Sequence, residues 1–422
     1  MLKLILKNLW ARRWRNGWLF AELIVVSAIT WSVIDPVVVD TWVQSLPMGY
    51  DSDRMCMVSV AKYPAEAPLY RAENDSTVKE DFLRLSDVIR QMPDVAYATP
   101  LPTGMYLHSH NQRGITLMSD TTRKVMGYLM PFIQGTDYFE TFGIRPSDGQ
   151  SLSEATGKAQ GSNQLIITEG ARSLLFEDGN INRPLTCVAW RDTTEAQVAG
   201  VVADMKYFKF WRPTPVFFKP IPAPEETTTI MLRLKDGISV DGFIDWFYEN
   251  QLASLGSGNL YVSGIQSFDK YIDDYTESMA TQYHLNITLA MFFMLSLCLG
   301  VIGAFWLQTK TRKGDLGVMK AYGASKGNIM SMLIGEGWVL TTVAWIVGCF
   351  IYWNYARMEE LYTEIFWSSF YPSPSWLDSF SLHFTITSLV LYVVMILVVL
   401  AGIYIPARNI SRILPSEALR DE

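Results

Sequence analysis

The chain has 422 residues, of which 49% are hydrophobic and 18% are charged, and its formal net charge at pH 7 is −7. This balance excludes a basic nucleic-acid-binding protein, which would present a positively charged surface. Long apolar stretches also exclude a purely soluble domain.

Four stretches are apolar over the roughly 20 residues that a helix needs to cross a bilayer. They cover residues 18–39, 287–307, 329–352 and 384–405. One lies near the start, and three are crowded into the last third of the chain. We predict an α-helical membrane protein with four transmembrane helices in a 1 + 3 arrangement and a large mixed α/β extracytoplasmic domain.

The first apolar stretch follows a basic segment, which is also the pattern of a cleaved signal peptide. The stretch is long, lacks a clear small-x-small cleavage site and runs into Asp35-Pro36. We therefore expect it to remain as a membrane anchor.

Basic residues are concentrated before the first stretch, between the second and third, and after the fourth. Positive charge marks the cytoplasmic side, so we expect a multi-pass membrane protein with cytoplasmic termini. The predicted segments are a cytoplasmic start at 1–17, transmembrane helices at 18–40, 283–308, 329–353 and 383–406, an extracytoplasmic domain at 41–282, a cytoplasmic loop at 309–328, an extracytoplasmic loop at 354–382 and a cytoplasmic tail at 407–422.

The region 41–282 mixes two kinds of hydrophobic period. Alternation or short apolar runs predict strands at 55–61, 164–168, 197–202 and 229–234. Helical spacing predicts helices at 78–91, 169–176 and 240–255. We expect two small subdomains. Apolar residues also recur every three or four positions from Ser267, which predicts a helical stalk at about 267–286 or an amphipathic helix that packs on its own domain.

Few residues suggest chemistry. His108 and His110 would share one face of a strand, but no cysteine is near, and we predict no metal site. Cys56 and Cys187 share the translocated region, where a disulfide is permitted, and the sequence leaves their pairing open. The sequence has no G-x-x-x-x-G-K-[ST], G-x-S-x-G or H-E-x-x-H motif, so we predict neither a catalytic site nor a cofactor site in this chain.

Polar and small residues within the apolar stretches suggest internal contacts. Glu22 and Glu336 are costly at membrane depth, which favours a structural or gating role. Small residues allow close contact between helices or with a second copy. Those at helical spacing are Ala28, Ser32, Ser296, Gly300 and Ala304.

The loop 309–328 is short and basic. Leu316, Val318, Met319 and Tyr322 predict the apolar side of a short helix, and Gly323 suits a helix stop before the next span. Such a helix, exposed at the membrane surface, is well placed to bind a soluble protein.

Several short motifs occur in a family-specific order. The run GDLGVMKAYGAS at 314–325 resembles the signature of FtsX-like and MacB-like ABC transporter permeases. The tail motifs IPAR at 405–408 and PSEALR at 415–420 are similar to that family's closing elements. YFETFGI at 138–144 and VAGVVAD at 198–204 resemble elements of its extracytoplasmic domain.

The resemblance implies a non-catalytic permease subunit that transmits movement. Such a subunit lies in the bacterial inner membrane, with its large domain in the periplasm or outside, and is driven by cytoplasmic ATPase subunits that bind ATP and magnesium. It also implies a second permease copy, identical or a sister chain, and permits a periplasmic adaptor or lipoprotein partner. Efflux, lipoprotein handling and antimicrobial-peptide resistance are the implied roles. The implied ATPase-coupling residues are Asp315, Leu316, Gly317, Val318, Met319, Lys320, Tyr322, Gly323, Ala324 and Ser325.

Two other classes fit less well. A secondary transporter needs repeated halves and polar sites at mid-membrane, which this sequence lacks. A membrane-anchored sensor or regulatory subunit without transport activity fits the large domain, but it needs an intracellular output domain. The sensor stays as the alternative.

Overall fold

The structure, a computed structural model, describes residues 7, 10–11, 13–102, 104–109, 113–121, 123–147, 154, 156–157, 159, 161, 163–189, 192–222, 228–311, 313–359 and 376–412. The chain divides into two compact units. We call Val43–Ala280 the α/β domain. The helical unit comprises residues up to 42 together with the described residues of 281–359 and 376–412.

The described helices are α1 (Arg13–Ser45), α2 (Val78–Arg90), α3 (Tyr138–Phe142), α4 (Glu169–Leu175), α5 (Val240–Asn250), α6 (Phe268–Thr311), α7 (Lys313–Ala321), α8 (Lys326–Met358) and α9 (Phe380–Arg412), with 3₁₀ turns at Ala72–Thr77 and Trp376–Asp378. The described strands are β1 (Met55–Lys62), β2 (Val95–Leu101), β3 (Gly114–Met118), β4 (Lys124–Ile133), β5 (Gln164–Thr168), β6 (Leu185–Ala189), β7 (Asp192–Val202), β8 (Val216–Ile221), β9 (Thr229–Leu234), β10 (Gly256–Ser257) and β11 (Leu260–Ser267).

Two sheets build the α/β domain. One is five-stranded with the order β10-β11-β1-β9-β2, and the other is a closed barrel with the order β3-β4-β8-β5-β7-β6. In the first sheet, β1 runs antiparallel to both β11 and β9. In the barrel, β4 runs parallel to β8, and β5 runs parallel to β7. The two sheets agree with the prediction of two subdomains.

The five-stranded sheet is buried on both faces. Phe82 of α2 and Phe247 of α5 belong to the apolar cluster that contains Val58 and Ile230 of its central strands. Met57 and its register partner Met231 belong to a second cluster, which the sheet shares with the barrel. Burial on both faces explains why β9 is buried at every position and shows no alternation, as expected for a central strand.

A cluster rich in aromatic side chains joins the sheet, the barrel, α3 and the start of α6. It includes Tyr138, Phe142, Tyr207, Phe218 and Phe268, each with at most 1% of its surface exposed. Edge-to-face geometry such as that of Phe142 and Phe268, with ring centroids 6.0 Å apart, is the preferred arrangement of aromatic pairs. Burial of this size makes the cluster a main source of the domain's stability.

Helices α1, α6, α8 and α9 are long and apolar enough to cross a membrane. Helix α6 has 44 residues without a break, about 66 Å at 1.5 Å per residue, against the roughly 30 Å of a bilayer's hydrocarbon core. Helices α8 and α9 are joined by Thr342 and Tyr392, whose hydroxyl oxygens lie 3.0 Å apart. The stalk boundaries at 267–286 stay a prediction.

Most predicted elements of the α/β domain are confirmed, including the strands at 164–168 and 229–234. The predicted helix at 240–255 ends earlier, at Asn250, where Gln251 caps it. The strand predicted around His108 is wrong: His108 lies in a turn with φ of 61°. His110 lies outside the described residues.

Candidate coupling site between the second and third spans

Helix α7 connects α6 to α8 and presents two different sides. Leu316 is 4% exposed and belongs to the apolar cluster of the helical unit. Val318 and Tyr322 are 43% and 89% exposed. The predicted single apolar side is therefore wrong, because Leu316 anchors α7 while Val318 and Tyr322 lie at the surface. Met319 is half-buried and packs against the same cluster as Leu316.

The turn after α7 ends the helix at a defined residue. The N–H of Gly323 donates to the carbonyl of Lys320 at 2.9 Å, and that of Ala324 donates to the carbonyl of Met319 at 3.0 Å. These two bonds form a Schellman motif, and Gly323 has the positive φ, 93°, that it requires. Ser325 then caps α8 by accepting from the N–H of Asn328 at 3.1 Å. The predicted helix stop and start are confirmed.

Charged groups surround this exposed side. Asp315 is exposed at the start of α7, and Lys320 lies in its last turn, which suits the helix dipole at both ends. Partial burial and the neighbouring Lys326 lower the pKa of Lys320. The surface around Val318 and Tyr322 thus combines apolar side chains with charge, a composition suited to a protein partner rather than to lipid.

The two acidic residues predicted inside the spans lie in different surroundings. Glu336 of α8 is 1% exposed within the helical unit. Glu22 of α1 lies against α6, where a β-carbon on Gly300 would come within 2.5 Å of its Oε1 atom. Gly300 therefore leaves the space that this carboxylate occupies. Both positions agree with an internal contact, whereas their predicted structural or gating roles stay predictions.

Glycines set the closest approach of α1 to its neighbours. A β-carbon on Gly348 of α8 would lie 2.6 Å from Ser27 and 3.1 Å from the carbonyl oxygen of Ile24. The predicted small-residue stripes are divided between two environments: Ala28, Gly300 and Ala304 are partly buried, whereas Ser32 and Ser296 are exposed. Gly348 was not among the predicted packing residues, although a glycine inside an apolar helix is a signal for such a contact.

A polar cluster at one end of the bundle also escaped the sequence analysis. His383 Nε2 lies 2.7 Å from Asp35 Oδ1, and the Thr387 hydroxyl donates to the same oxygen at 2.9 Å. Trp31 donates from its indole nitrogen to the hydroxyl of Ser388 at 3.0 Å. These bonds connect α1 with α9. The signal was present, since charged residues inside apolar spans usually have a partner.

Within the α/β domain, Lys206 binds the last turn of α1, where the domain begins at Val43. This lysine is 1% exposed, and its Nζ donates to the carbonyl of Val43 in the last turn of α1 at 2.6 Å. Burial lowers the pKa of Lys206 to about 8. The segment that follows is also fixed: Gly49 has a φ of 83°, and a β-carbon there would lie 2.3 Å from the carbonyl oxygen of Asp204. Only glycine fits this approach.

The remaining candidate residues of the α/β domain have structural surroundings. His108 is fully buried, its Nε2 lies 2.5 Å from the Tyr50 hydroxyl, and burial, together with Lys209, lowers its pKa to about 3. Cys56 and Cys187 are free thiols in different sheets, so the disulfide that the sequence left open is not formed. Within the described residues, no group of three or more His, Cys, Asp or Glu side chains could hold a metal ion.

Comparisons with known families match both units. The FtsX-like permease C-terminal domain matches residues 287–415, and the MacB-like periplasmic core domain matches residues 37–246. The crystal structure of the periplasmic region of MacB from Actinobacillus actinomycetemcomitans covers 53% of this chain and 92% of its own, with 13% identity and a TM-score of 0.31.

Curated relatives are similar over a similar length. A probable export ATP-binding/permease protein of Pseudomonas fluorescens is 23% identical over 67% of this chain. The macrolide export ATP-binding/permease protein MacB of Chromobacterium violaceum is 22% identical over 68% of it. The chain spans 42% of the length of each of these relatives. With family matches on both of its units, the chain belongs to the FtsX-like ABC transporter permeases that carry a MacB-like periplasmic core domain.

Proposed function

We propose that this chain is the membrane subunit of an ABC transporter and that a separate ATP-binding subunit docks on the exposed side of α7. The exposure of Val318 and Tyr322, on a helix anchored by Leu316, is the observation that carries the proposal. An anchored helix transmits force to the spans on both sides of it, whereas a free loop would absorb the force. ATP and magnesium would be bound by the partner, and this chain would perform no catalysis.

The α/β domain is the proposed receiver of that movement. Helix α1 ends at Ser45 with its last turn held by Lys206, and α6 begins at Phe268 inside the aromatic cluster. A shift of either helix must therefore disturb buried contacts of the domain, because close-packed cores transmit strain. In this proposal the cytoplasm lies on the side of α7, and the α/β domain lies outside the inner membrane.

Export is the class of activity that we extend to this chain from the names of its relatives. Efflux, lipoprotein handling and antimicrobial-peptide resistance all fit a movement of the outer domain, with or without a periplasmic adaptor. A second permease copy, identical or a sister chain, would cover the exposed apolar face of α6, on which Phe292 is 61% and Leu295 is 60% exposed.

Co-purification from the native host tests the docking proposal. The detergent-solubilised chain should bring down an ATP-binding subunit, and the double variant Val318→Asp/Tyr322→Ala should lose at least nine tenths of it. Met358→Ala is the matched control, because Met358 is 82% exposed at the other end of α8. Leu316→Ala should instead lower thermal stability, since it removes the anchor. If the intact chain recovers no ATP-binding subunit, the proposal fails and the membrane sensor becomes the leading function.

A further inference from the structure

The barrel of the α/β domain is unfilled at one end. A cavity of about 180 Å³ opens there, lined by side chains from every strand of the barrel. The lining residues are Ile115, Leu129, Asn163, Leu165, Cys187, Ala189, Asp192, Thr194, Glu195, Ala196 and Lys219. The mouths of β-barrels are a common place for small-molecule sites, which is a reason to ask what this one would hold.

Side-chain size explains why this end of the barrel is open. In the interior, Phe217 and Leu185 fill the packed end, and a β-carbon on Gly127 would lie 2.5 Å from the ring of Phe217. Towards the cavity, the inward positions of β6 and β7 hold small side chains, with Cys187 in register opposite Thr194. These small side chains leave space in the interior. The strands cannot move inward to fill that space, because hydrogen bonds between them hold the barrel closed.

The cavity has an apolar wall and a charged mouth. Ile115 and Leu165 are 4% and 2% exposed and form part of the wall. Lys219 is half-buried, at an inward position two residues after Phe217 on β8. Asp192 lies exposed at the start of β7. Glu195, a second acid of the lining, is also exposed on β7. Within the described part of the chain, none of these three groups forms a salt bridge, so one cation and two acids lie around an apolar space.

Cys187 lines the same cavity, and its thiol interacts with other lining residues. Burial raises its pKa, while a hydrogen bond with Thr194 and the charge of Lys219 act in the opposite direction. Its neighbours in the cavity are thus close enough to interact with it. Because Cys187 is partly exposed, a molecule in the cavity would cover it.

We propose that the barrel cavity binds a small zwitterion with an apolar side chain, of the α-amino acid class. The apolar side chain lies against Leu129 and Leu165, the carboxylate faces the ammonium group of Lys219, and the ligand's ammonium group faces Asp192. A cavity volume of about 180 Å³ limits the ligand to a small molecule. Charge-assisted hydrogen bonds to both charged groups of the ligand, together with the apolar wall around its side chain, would fix its orientation.

This proposal stands apart from the ATPase proposal, because binding is measured on the permease alone. Calorimetric titration of the full chain in detergent with L-leucine should show binding. Two analogues of the same shape separate the charges: 4-methylpentanoate lacks the ammonium group, and 3-methylbutylamine lacks the carboxylate. Each should bind at least tenfold more weakly than leucine. Equal binding of leucine and either analogue overturns the zwitterion assignment, and no heat of binding at millimolar leucine overturns the site.

Variants test the position of the site. Lys219→Met should weaken leucine binding at least tenfold, whereas Lys124→Met, an exposed lysine of the same barrel, should leave it unchanged. Ala189→Leu should fill the cavity and abolish binding without lowering thermal stability.

A protection experiment tests the same site without a substitution. Leucine should slow the modification of Cys187 by a thiol reagent, and the modification rate is measured by mass spectrometry of the peptide that contains Cys187. An unchanged rate at saturating leucine, or equal loss in both lysine variants, contradicts the proposal.

Discussion

The α/β domain and the helical unit bury polar groups in different ways. In the α/β domain, Arg233 is 5% exposed and donates to the Thr141 carbonyl and the Asp51 carboxylate, each at 2.8 Å. In the helical unit, each helix satisfies its own backbone, and helices meet through apolar side chains, through glycines and through polar clusters such as that of Asp35, His383 and Thr387. Exposure therefore has different meanings in the two units, since an exposed leucine of a span faces lipid or another chain.

The largest effect should come from Arg233, because its removal takes this buried donor from the carbonyl oxygens of Thr141 and Asp51 and from the Asp51 carboxylate. Arg233→Met should lower the free energy of unfolding by about 3 kcal/mol, measured by urea unfolding of the detergent-solubilised chain. Arg183→Met should cost less than about 1 kcal/mol, because Arg183 and its partner Asp178 are both exposed. Equal losses of unfolding free energy in the two variants would show that the buried Arg233 stabilises the α/β domain no more than an exposed arginine does.

The cost at Arg233 should also depend on pH. Burial raises the pKa of Asp51, but Arg233, a backbone hydrogen bond and Arg54 lower it more, so that the net shift is downward. The stabilisation is then present above the ordinary carboxyl pKa of about 4 and is lost as the pH falls through the lowered value. The difference between wild type and Arg233→Met should shrink on acidification, and a constant difference would contradict the ion pair.

A close helix contact should give the next largest effect. Gly348→Leu places a side chain where α1 passes, and we expect a loss of about 1–3 kcal/mol in thermal or denaturant unfolding. Gly303→Leu is the matched control, because nothing lies within 4 Å of a β-carbon at that position. Comparable losses of stability at the two glycines would mean that the loss comes from a change in helix propensity and not from the contact between α1 and α8.

The polar bond between α1 and α9 should be worth less. A double-mutant cycle of Asp35→Ala and His383→Ala should give a coupling energy of about 0.6 kcal/mol, the average for hydrogen bonds between membrane helices. The chain offers Thr385 as a control partner, because its hydroxyl bonds only its own helix through the carbonyl of Ser381. A coupling energy of about 3 kcal/mol, as large as the expected loss for Arg233→Met, would show that the polar contacts of the two units stabilise the protein equally.

The smallest effect on the stability of a single chain should come from the exposed apolar face of α6. Leu295→Ala should change stability by less than about 0.5 kcal/mol, because Leu295 is 60% exposed. Leu297→Ala, two residues away and 2% exposed, should cost clearly more. If the Leu295 substitution is costly in the solubilised protein, a second chain already covers this face.

Local pattern was enough to predict most elements, but not the contacts that define the site. Alternation along β1 and the glycine after α7 act over a few residues, and both predictions are confirmed. The burial of Leu316 beside the exposure of Val318 depends on neighbouring helices, which helical spacing alone cannot identify. The pairing of Asp35 with His383 joins residues far apart in sequence, and the open end of the barrel depends on the register of β6 with β7.

Site-specific photo-crosslinking tests the central claim most directly. A benzophenone amino acid in place of Tyr322, introduced in the native host, should form a cross-link to an ATP-binding subunit on irradiation. The same group in place of Met358, which is 82% exposed against 89% for Tyr322, should form none. A cross-link from Met358 and not from Tyr322, or no cross-link to an ATP-binding subunit from either, would contradict the assignment of α7 as the docking helix.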